Sequence, residues 1–258
     1  MSAAPRLSIL CMSFCRPRGL RLAIESVLAQ TYRDWELIIC DDASPDPRVR
    51  TVFVELMRAN PGRLVWISLP GDVDKTQVCT LGCVLNAGIQ IMRATSYVTW
   101  LGDGVMYLPD RCERMIGYLD AHPDVSFVWG HQQNEDWRDG KIVRRSEHRC
   151  GGPPERFAAA NLSAILRRQN VIDHCSVIER VSVTLEHAWT EDAAHWRAPD
   201  WERWRRIAAA GARADMLPEI GERKRRSPAN LGAQLRAGRS IADVAAHRCT
   251  HGDGDDRE

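Results

Sequence analysis

Residues 97–110 read YVTWLGDGVMYLPD. The apolar run from Tyr97 to Leu101 has the length and composition of a buried strand, and it stops abruptly at Gly102-Asp103-Gly104. Beyond Pro109-Asp110, the residues Cys112, Met115, Ile116 and Leu119 recur at helical spacing, and proline suits the first turn of a helix. The order is therefore strand, acidic turn, helix. In open α/β sheets ligands bind beyond the carboxyl ends of the strands, so Asp103 stands where an acid meets a ligand or its metal. Alternatively, an Asp between two glycines makes an ordinary surface turn.

The same design precedes this stretch three times. Residues 7–14, LSILCMSF, end at Cys15-Arg16-Pro17 and lead into a helix marked by Leu20, Ala23, Ile24, Val27 and Leu28. Residues 35–40, WELIIC, end in Asp41-Asp42 and lead through a Ser-Pro-Asp-Pro turn to a helix through Val52, Val54, Leu56 and Met57. Residues 64–69, LVWISL, give way to a Gly-Asp loop and a helix carrying Val78, Leu81, Leu85, Ile89 and Met92 on one face. Strands alternating with helices at this spacing predict a mostly parallel sheet covered on both faces.

After Asp124 the pattern changes. Residues 125–129 and 141–143 flank Asp139-Gly140 as a hairpin, Gly151-Gly152-Pro153-Pro154 reads as a flexible connection, and residues 157–166 suit a short helix. Residues 173–177, DHCSV, look like a strand entry carrying polar groups, and a strong helix runs from Asp200 to a stop at Gly211. The polar end from His251 to Glu258 reads as a frayed tail. The expected layout is one α/β domain over residues 1–228, with halves at about 1–110 and 111–228, followed by an appendage at 229–258.

In the 258 residues, 35 Lys and Arg nearly balance 34 Asp and Glu, so no global field draws nucleic acid or an anionic membrane. Nine cysteines include no CxxC pair, and five of them, Cys11, Cys40, Cys79, Cys83 and Cys112, fall inside apolar patterns, which fits reduced thiols of a cytoplasmic protein. The apolar run after Arg6 is too short for a signal peptide and lacks a cleavage site, and no segment is long enough to span a bilayer. No GxGxxG follows the first strand, which weakens a dinucleotide-binding reading.

Together these pieces resemble glycosyltransferase family 2, the inverting sugar-nucleotide transferases of GT-A fold, over roughly residues 6–226. Residues 23–32, AIESVLAQTY, match the family's first helix, and Asp41-Asp42-Ala43-Ser44 looks like its Asp-Asp-X-Ser turn. Residues 107–111, His122-Pro123 and residues 172–177 are similar to its spore-coat polysaccharide branch. The resemblance implies a Rossmann-like, mostly parallel sheet with helices on both faces and a mixed C-terminal half. It implies a nucleotide-sugar donor carrying UDP or dTDP and a small-molecule or glycan acceptor, with no nucleic acid partner. Ser13, Phe14 and Asp41 would border the base, Asp103 would face the diphosphate and its Mg²⁺ or Mn²⁺, Asp173 and His174 would lie near the acceptor, and Asp200 would be the catalytic base.

Inverting transfer is one in-line displacement: a base takes the acceptor proton on one face while charge building on the departing diphosphate is neutralised on the other. Asp200 and Asp103 suit those two ends, although Asp200 also suits a helix N-cap. The family's Asp-X-Asp has lost acids here, because Gly102 and Gly104 flank a single Asp103, and the metal-binding acid of the spore-coat pattern falls at Gly104. One acid could hold the ion weakly, or Lys75, Arg111, Arg223 or Lys224 could replace it. A non-catalytic nucleotide-sugar-binding protein of the same fold is the rival reading. The loop with His187, Glu191, Asp192 and His195 fits no standard zinc spacing, and the basic run from Glu222 to Arg226 reads as a phosphate ligand or a solvated segment.

Overall fold

Strand β1 (Leu7–Ser13) is buried at every residue, which explains why its sequence is a continuous apolar run with no alternation. It pairs in parallel with β2 (Trp35–Asp41) on one side and β4 (Tyr97–Gly102) on the other, and β3 (Leu64–Ser68) adds in parallel outside β2. Helix α1 (Pro17–Leu28) starts with proline at its first turn and buries Leu20, Ala23, Ile24 and Val27. In α2 (Pro47–Ala59) the Asp46 carboxylate caps the helix by accepting the Arg48 N–H. Helix α3 (Thr80–Ile91) begins later than the apolar spacing predicts, and Val78 instead forms an isolated bridge with Asp192.

This is a computed structural model, and it describes residues 4–138, 141–148 and 159–226. The Asp139-Gly140 turn, the Gly151 to Pro154 connection and all residues after Arg226 lie outside the described residues. The described strands form one sheet in the order β3-β2-β1-β4-β8-β6-β9-β5, with β7 beside β6. Here β5 is Val105–Tyr107, β6 Phe127–Arg138, β7 Lys141–His148, β8 Val177–Arg180 and β9 Ala214–Arg226. The predicted hairpin is present as β6 and β7, with strands longer than predicted. Beyond β4 the sheet turns mixed, since β8 runs antiparallel to both β4 and β6 while β9 runs parallel to β6. Helices α4 (Arg111–Ala121), α5 (Ala159–Leu166), α6 (Val181–Glu186) and α7 (Pro199–Ala209) complete the described chain.

One expectation is refined and another corrected. Residues 173–177 do lead into a strand, by way of a turn: the Asp173 carboxylate accepts the Cys175 N–H at 3.1 Å and caps a 3-10 turn at His174–Ser176, and the strand begins at Val177. The run from Glu222 to Arg226 is not a solvated segment but the end of β9, with Glu222 and Arg225 buried. Its charges read as surface because a buried ion pair and a solvated one have the same composition.

Candidate functional site

The carboxyl ends of three adjacent strands bring Ser13, Asp41 and Asp103 to one edge. The Ser13 hydroxyl is buried and makes no hydrogen bond. Asp41, equally buried, accepts hydrogen bonds from Ser44 N at 2.9 Å, Ser44 Oγ at 2.6 Å and Ser68 Oγ at 3.1 Å. Burial pushes the Asp41 pKa up and those bonds only partly offset it. Ala43, with φ 53°, takes the left-handed conformation that folds Ser44 back onto Asp41. Beside them Lys75 Nζ lies 3.9 Å from the centre of the Phe14 ring, donates to the Asp42 carbonyl at 2.7 Å and pairs with the Asp42 carboxylate at 2.8 Å.

Asp103 is 9 % exposed, and its carboxylate accepts the Phe14 N–H at 2.9 Å and Arg16 Nη1 at 3.2 Å. A Cβ placed on Gly102 would lie 3.6 Å from the Cys175 Sγ, so the acidic turn backs onto the 3-10 turn that carries Asp173 and His174. The end of β4 at Gly102 is thus a neighbour of the turn that leads to a second group. His174 Nδ1 lies 3.6 Å from Asp200 Oδ2, which also accepts Asn170 Nδ2 at 3.2 Å, while Asp200 Oδ1 accepts the Trp201 N–H at 2.8 Å. Burial works against charge on His174, but Cys175, Asp200 and Asp173 around the ring together raise its pKa well above the usual value. Asp173 is paired with Lys224; burial opposes its ionisation, yet Lys224 and His174 outweigh that and hold its pKa well below the usual range.

Asp200 is not an N-cap. Ala198 occupies that position without a side-chain bond, and Asp200 falls in the first turn of α7 after Pro199, where its charge suits the helix dipole. The helix itself is anchored by Arg203, whose guanidinium makes two hydrogen bonds to the fully buried Glu179 of β8, at 2.8 and 2.6 Å, and lies 5.1 Å from Trp100 and Trp204 and 5.2 Å from Trp189. Trp189 and Trp204 are therefore core residues, and Trp201 Nε1 ties α7 to α5 through the Leu166 carbonyl at 2.7 Å.

Of the basic groups named as substitutes for a metal, Arg111 is committed to other partners. It is fully enclosed, 3.5 Å from the Glu222 carboxylate, and donates to the carbonyls of Cys175 and Val177. Lys224 is engaged by Asp173 and Lys75 by Asp42, while Arg223 is exposed. Among the described residues, one group brings three metal-type ligand atoms within 4.8 Å of one another, Asp173, His174 and Cys175, and the Lys224 ammonium already holds its carboxylate. His187, Glu191, Asp192 and His195 form no such group among the described residues. Sequence reasoning missed Arg16, Ser68 and Asn170. For Arg16 the signal was present, a basic residue between the first strand and Pro17, within reach of any group at the neighbouring strand end.

The family model of Glycosyl transferase family 2 matches residues 8–183. Protein CgeD of Bacillus subtilis (strain 168) is 28% identical over 210 residues, covering 78% of this chain and 46% of CgeD. The putative glycosyltransferase EpsE of the same organism is 44% identical over 130 residues, 50% of this chain and 43% of EpsE. This chain thus spans less than half the length of these curated relatives. Among solved structures, S. aureus TarS 1-349 in complex with UDP superposes with a TM-score of 0.63 at 15% identity, over 87% of this chain and 61% of that one. The mannosyltransferase PcManGT of Pyrobaculum calidifontis, in complex with GDP-Man and Mn2+, gives a TM-score of 0.57 at 14% identity, over 91% of this chain and 60% of that one. These likenesses establish the α/β fold as GT-A.

Proposed function

The chain belongs to glycosyl transferase family 2, and from that premise we propose that it is an inverting glycosyltransferase, moving a sugar from a UDP- or dTDP-sugar to a hydroxyl or amine acceptor. The observation that supports the reading is that Gly102, at the strand end beside Asp103, neighbours Cys175, whose chain neighbour His174 lies 3.6 Å from Asp200. Asp41 accepts the N–H edge of the base, Phe14 borders the ring, and the unpartnered Ser13 hydroxyl bonds to the nucleotide. Asp200 removes the acceptor proton as the acceptor oxygen or nitrogen attacks the anomeric carbon. The bond from that carbon to the diphosphate oxygen breaks on the opposite face, and the nucleoside diphosphate leaves. Asn170 and the Trp201 N–H hold the carboxylate in orientation, and His174 and Asp173 line the acceptor side.

The family's divalent ion has no step in this reading, because the single acid of the turn is already held by Arg16 and Phe14. The relatives' known ligands support a nucleotide-sugar donor: TarS has been solved with UDP and with UDP-GlcNAc. Incubation with a panel of UDP- and dTDP-sugars, with release of free nucleotide followed by chromatography, tests the proposal. Turnover of at least one donor is the expected result. A protein whose melting temperature rises with UDP or dTDP but which releases no nucleotide from any donor is a binding protein, and the catalytic reading falls.

A further inference from the structure

The turn after β4 is built around the guanidinium of Arg16. Cys15, with φ 52°, adopts the left-handed conformation that is strained for a non-glycine residue, and it turns Arg16 inward at the start of α1. Arg16 is 5 % exposed, and its Nη1 meets Asp103 Oδ1 at 3.2 Å. A Cβ on Gly104 would lie 2.7 Å from that same nitrogen, and one on Gly19 would lie 2.0 Å from the Asp103 carbonyl oxygen. Both glycines are thus explained: Gly19 lets the first turn of α1 lie on the acidic turn, and Gly104 leaves room for the guanidinium where the family pattern has an acid. The arrangement is tied to the base side as well, since the Ser44 hydroxyl donates to Asp41 and accepts the Cys15 N–H at 2.9 Å.

These residues do not fit a hard divalent ion. Such an ion needs oxygen ligands, and here the single carboxylate has one oxygen on the Phe14 N–H and the other on a cation that would repel the ion. We propose that Arg16 takes the place of that ion, meeting the diphosphate of the sugar nucleotide directly, so that donor binding is independent of metal. The inference rests on the donor reading above. A guanidinium suits the task because it is always charged and presents a planar fork of donors to phosphate oxygens, and because Asp103 fixes its plane before the ligand arrives. Charge that builds on the leaving diphosphate is then offset by a group that the chain itself positions.

The test is calorimetry of UDP, dTDP and uridine with the wild type, Arg16→Ala and Arg16→Lys, each in EDTA and in Mn²⁺. The wild type is expected to bind UDP or dTDP with affinities within twofold in the two buffers. Arg16→Ala is expected to lose at least tenfold in diphosphate affinity in EDTA while uridine binding and the circular dichroism spectrum stay unchanged, with Arg16→Lys in between. Diphosphate binding by the wild type that requires Mn²⁺, or that survives Arg16→Ala in EDTA, overturns the inference and leaves the donor reading standing. Failure of the wild type to bind either diphosphate in either buffer overturns the donor reading, and the inference with it. Should Arg16→Ala not fold, the wild-type comparison and Arg16→Lys still decide.

Discussion

Asp200, in the first turn of α7, and Asp41, at the end of β2, are both carboxylates, and their surroundings fit them for different work. Asp200 is partly open, at 18 % side-chain exposure, with Asn170 and the Trp201 N–H as donors and the His174 ring, whose pKa is raised, 3.6 Å from one of its oxygens. Asp200→Asn keeps its shape and removes its basicity, so turnover is expected to fall by at least about a hundredfold, the scale of a lost general base. Initial rates measured beside UDP affinity separate this from a binding defect, and near-normal turnover in a folded variant would leave Asp200 as a first-turn charge of α7. Asp41 is enclosed, and three donors from Ser44 and Ser68 fix both of its oxygens while leaving lone pairs for a base edge. Asp41→Ala should weaken UDP or dTDP binding by roughly 1.5 to 3 kcal/mol, the range for a hydrogen bond to a charged group. A calorimetric dissociation constant that does not move would remove the base from this pocket.

At the scale of elements, the position of α7 is set by one buried pair. Arg203 and Glu179 are both fully enclosed, and the two hydrogen bonds between them fix the register of α7 against β8, which places Asp200 one turn earlier beside His174. Arg203→Ala takes from the buried Glu179 its ion-pair partner and leaves it only the Thr184 hydroxyl, and a loss of roughly 3 to 5 kcal/mol in urea unfolding is expected. Stability within about 1 kcal/mol of wild type would mean that the three tryptophans around Arg203 hold α7 without the pair. This pair also marks where the sequence stops being legible. The first four strands were readable because burial on both faces demands unbroken apolar runs, and Asp41 and Asp103 could be placed because those runs end at them. In the second half the buried positions carry Glu179, Arg203, Glu222 and Arg225, and charge pattern alone does not separate an enclosed ion pair from a solvated one. β5 has too little pattern to be read, since it is only three residues long.

Over the whole molecule the near-balance of 35 basic and 34 acidic residues conceals a concentration of buried charge behind the acidic turn, and that arrangement has a pH signature. Glu222 is fully buried, and its carboxylate has Arg111 as a partner at 3.5 Å, with no hydrogen bond. Burial is the larger effect and pushes the pKa of Glu222 up from 4.5 to about 7, with Arg111 opposing it. Below 4.5 the group is protonated in both the folded and the unfolded chain, so its contribution to stability is fully present. As pH rises the unfolded chain ionises first, and stability is lost progressively until the folded group has also titrated, near 7. Asp173 behaves in the opposite sense, since its depressed pKa makes its contribution disappear only in acid, well below this window. His174, with its raised pKa, loses its contribution as pH climbs from about 6.5 upward, and because His174, Asp173 and Lys224 also act on Glu222, their titration moves when the Glu222 charge is removed. The difference between wild type and Glu222→Gln therefore reads Glu222 together with its coupling to those groups. Between pH 4.5 and 7.5 the relative stability of Glu222→Gln is expected to rise by up to about 3 kcal/mol, whatever constant cost the amide imposes on Arg111. Urea unfolding at half-unit steps of pH reads that slope, and a difference that stays flat across the window would show that the Glu222 carboxylate is already ionised at pH 5 and fully supported by Arg111.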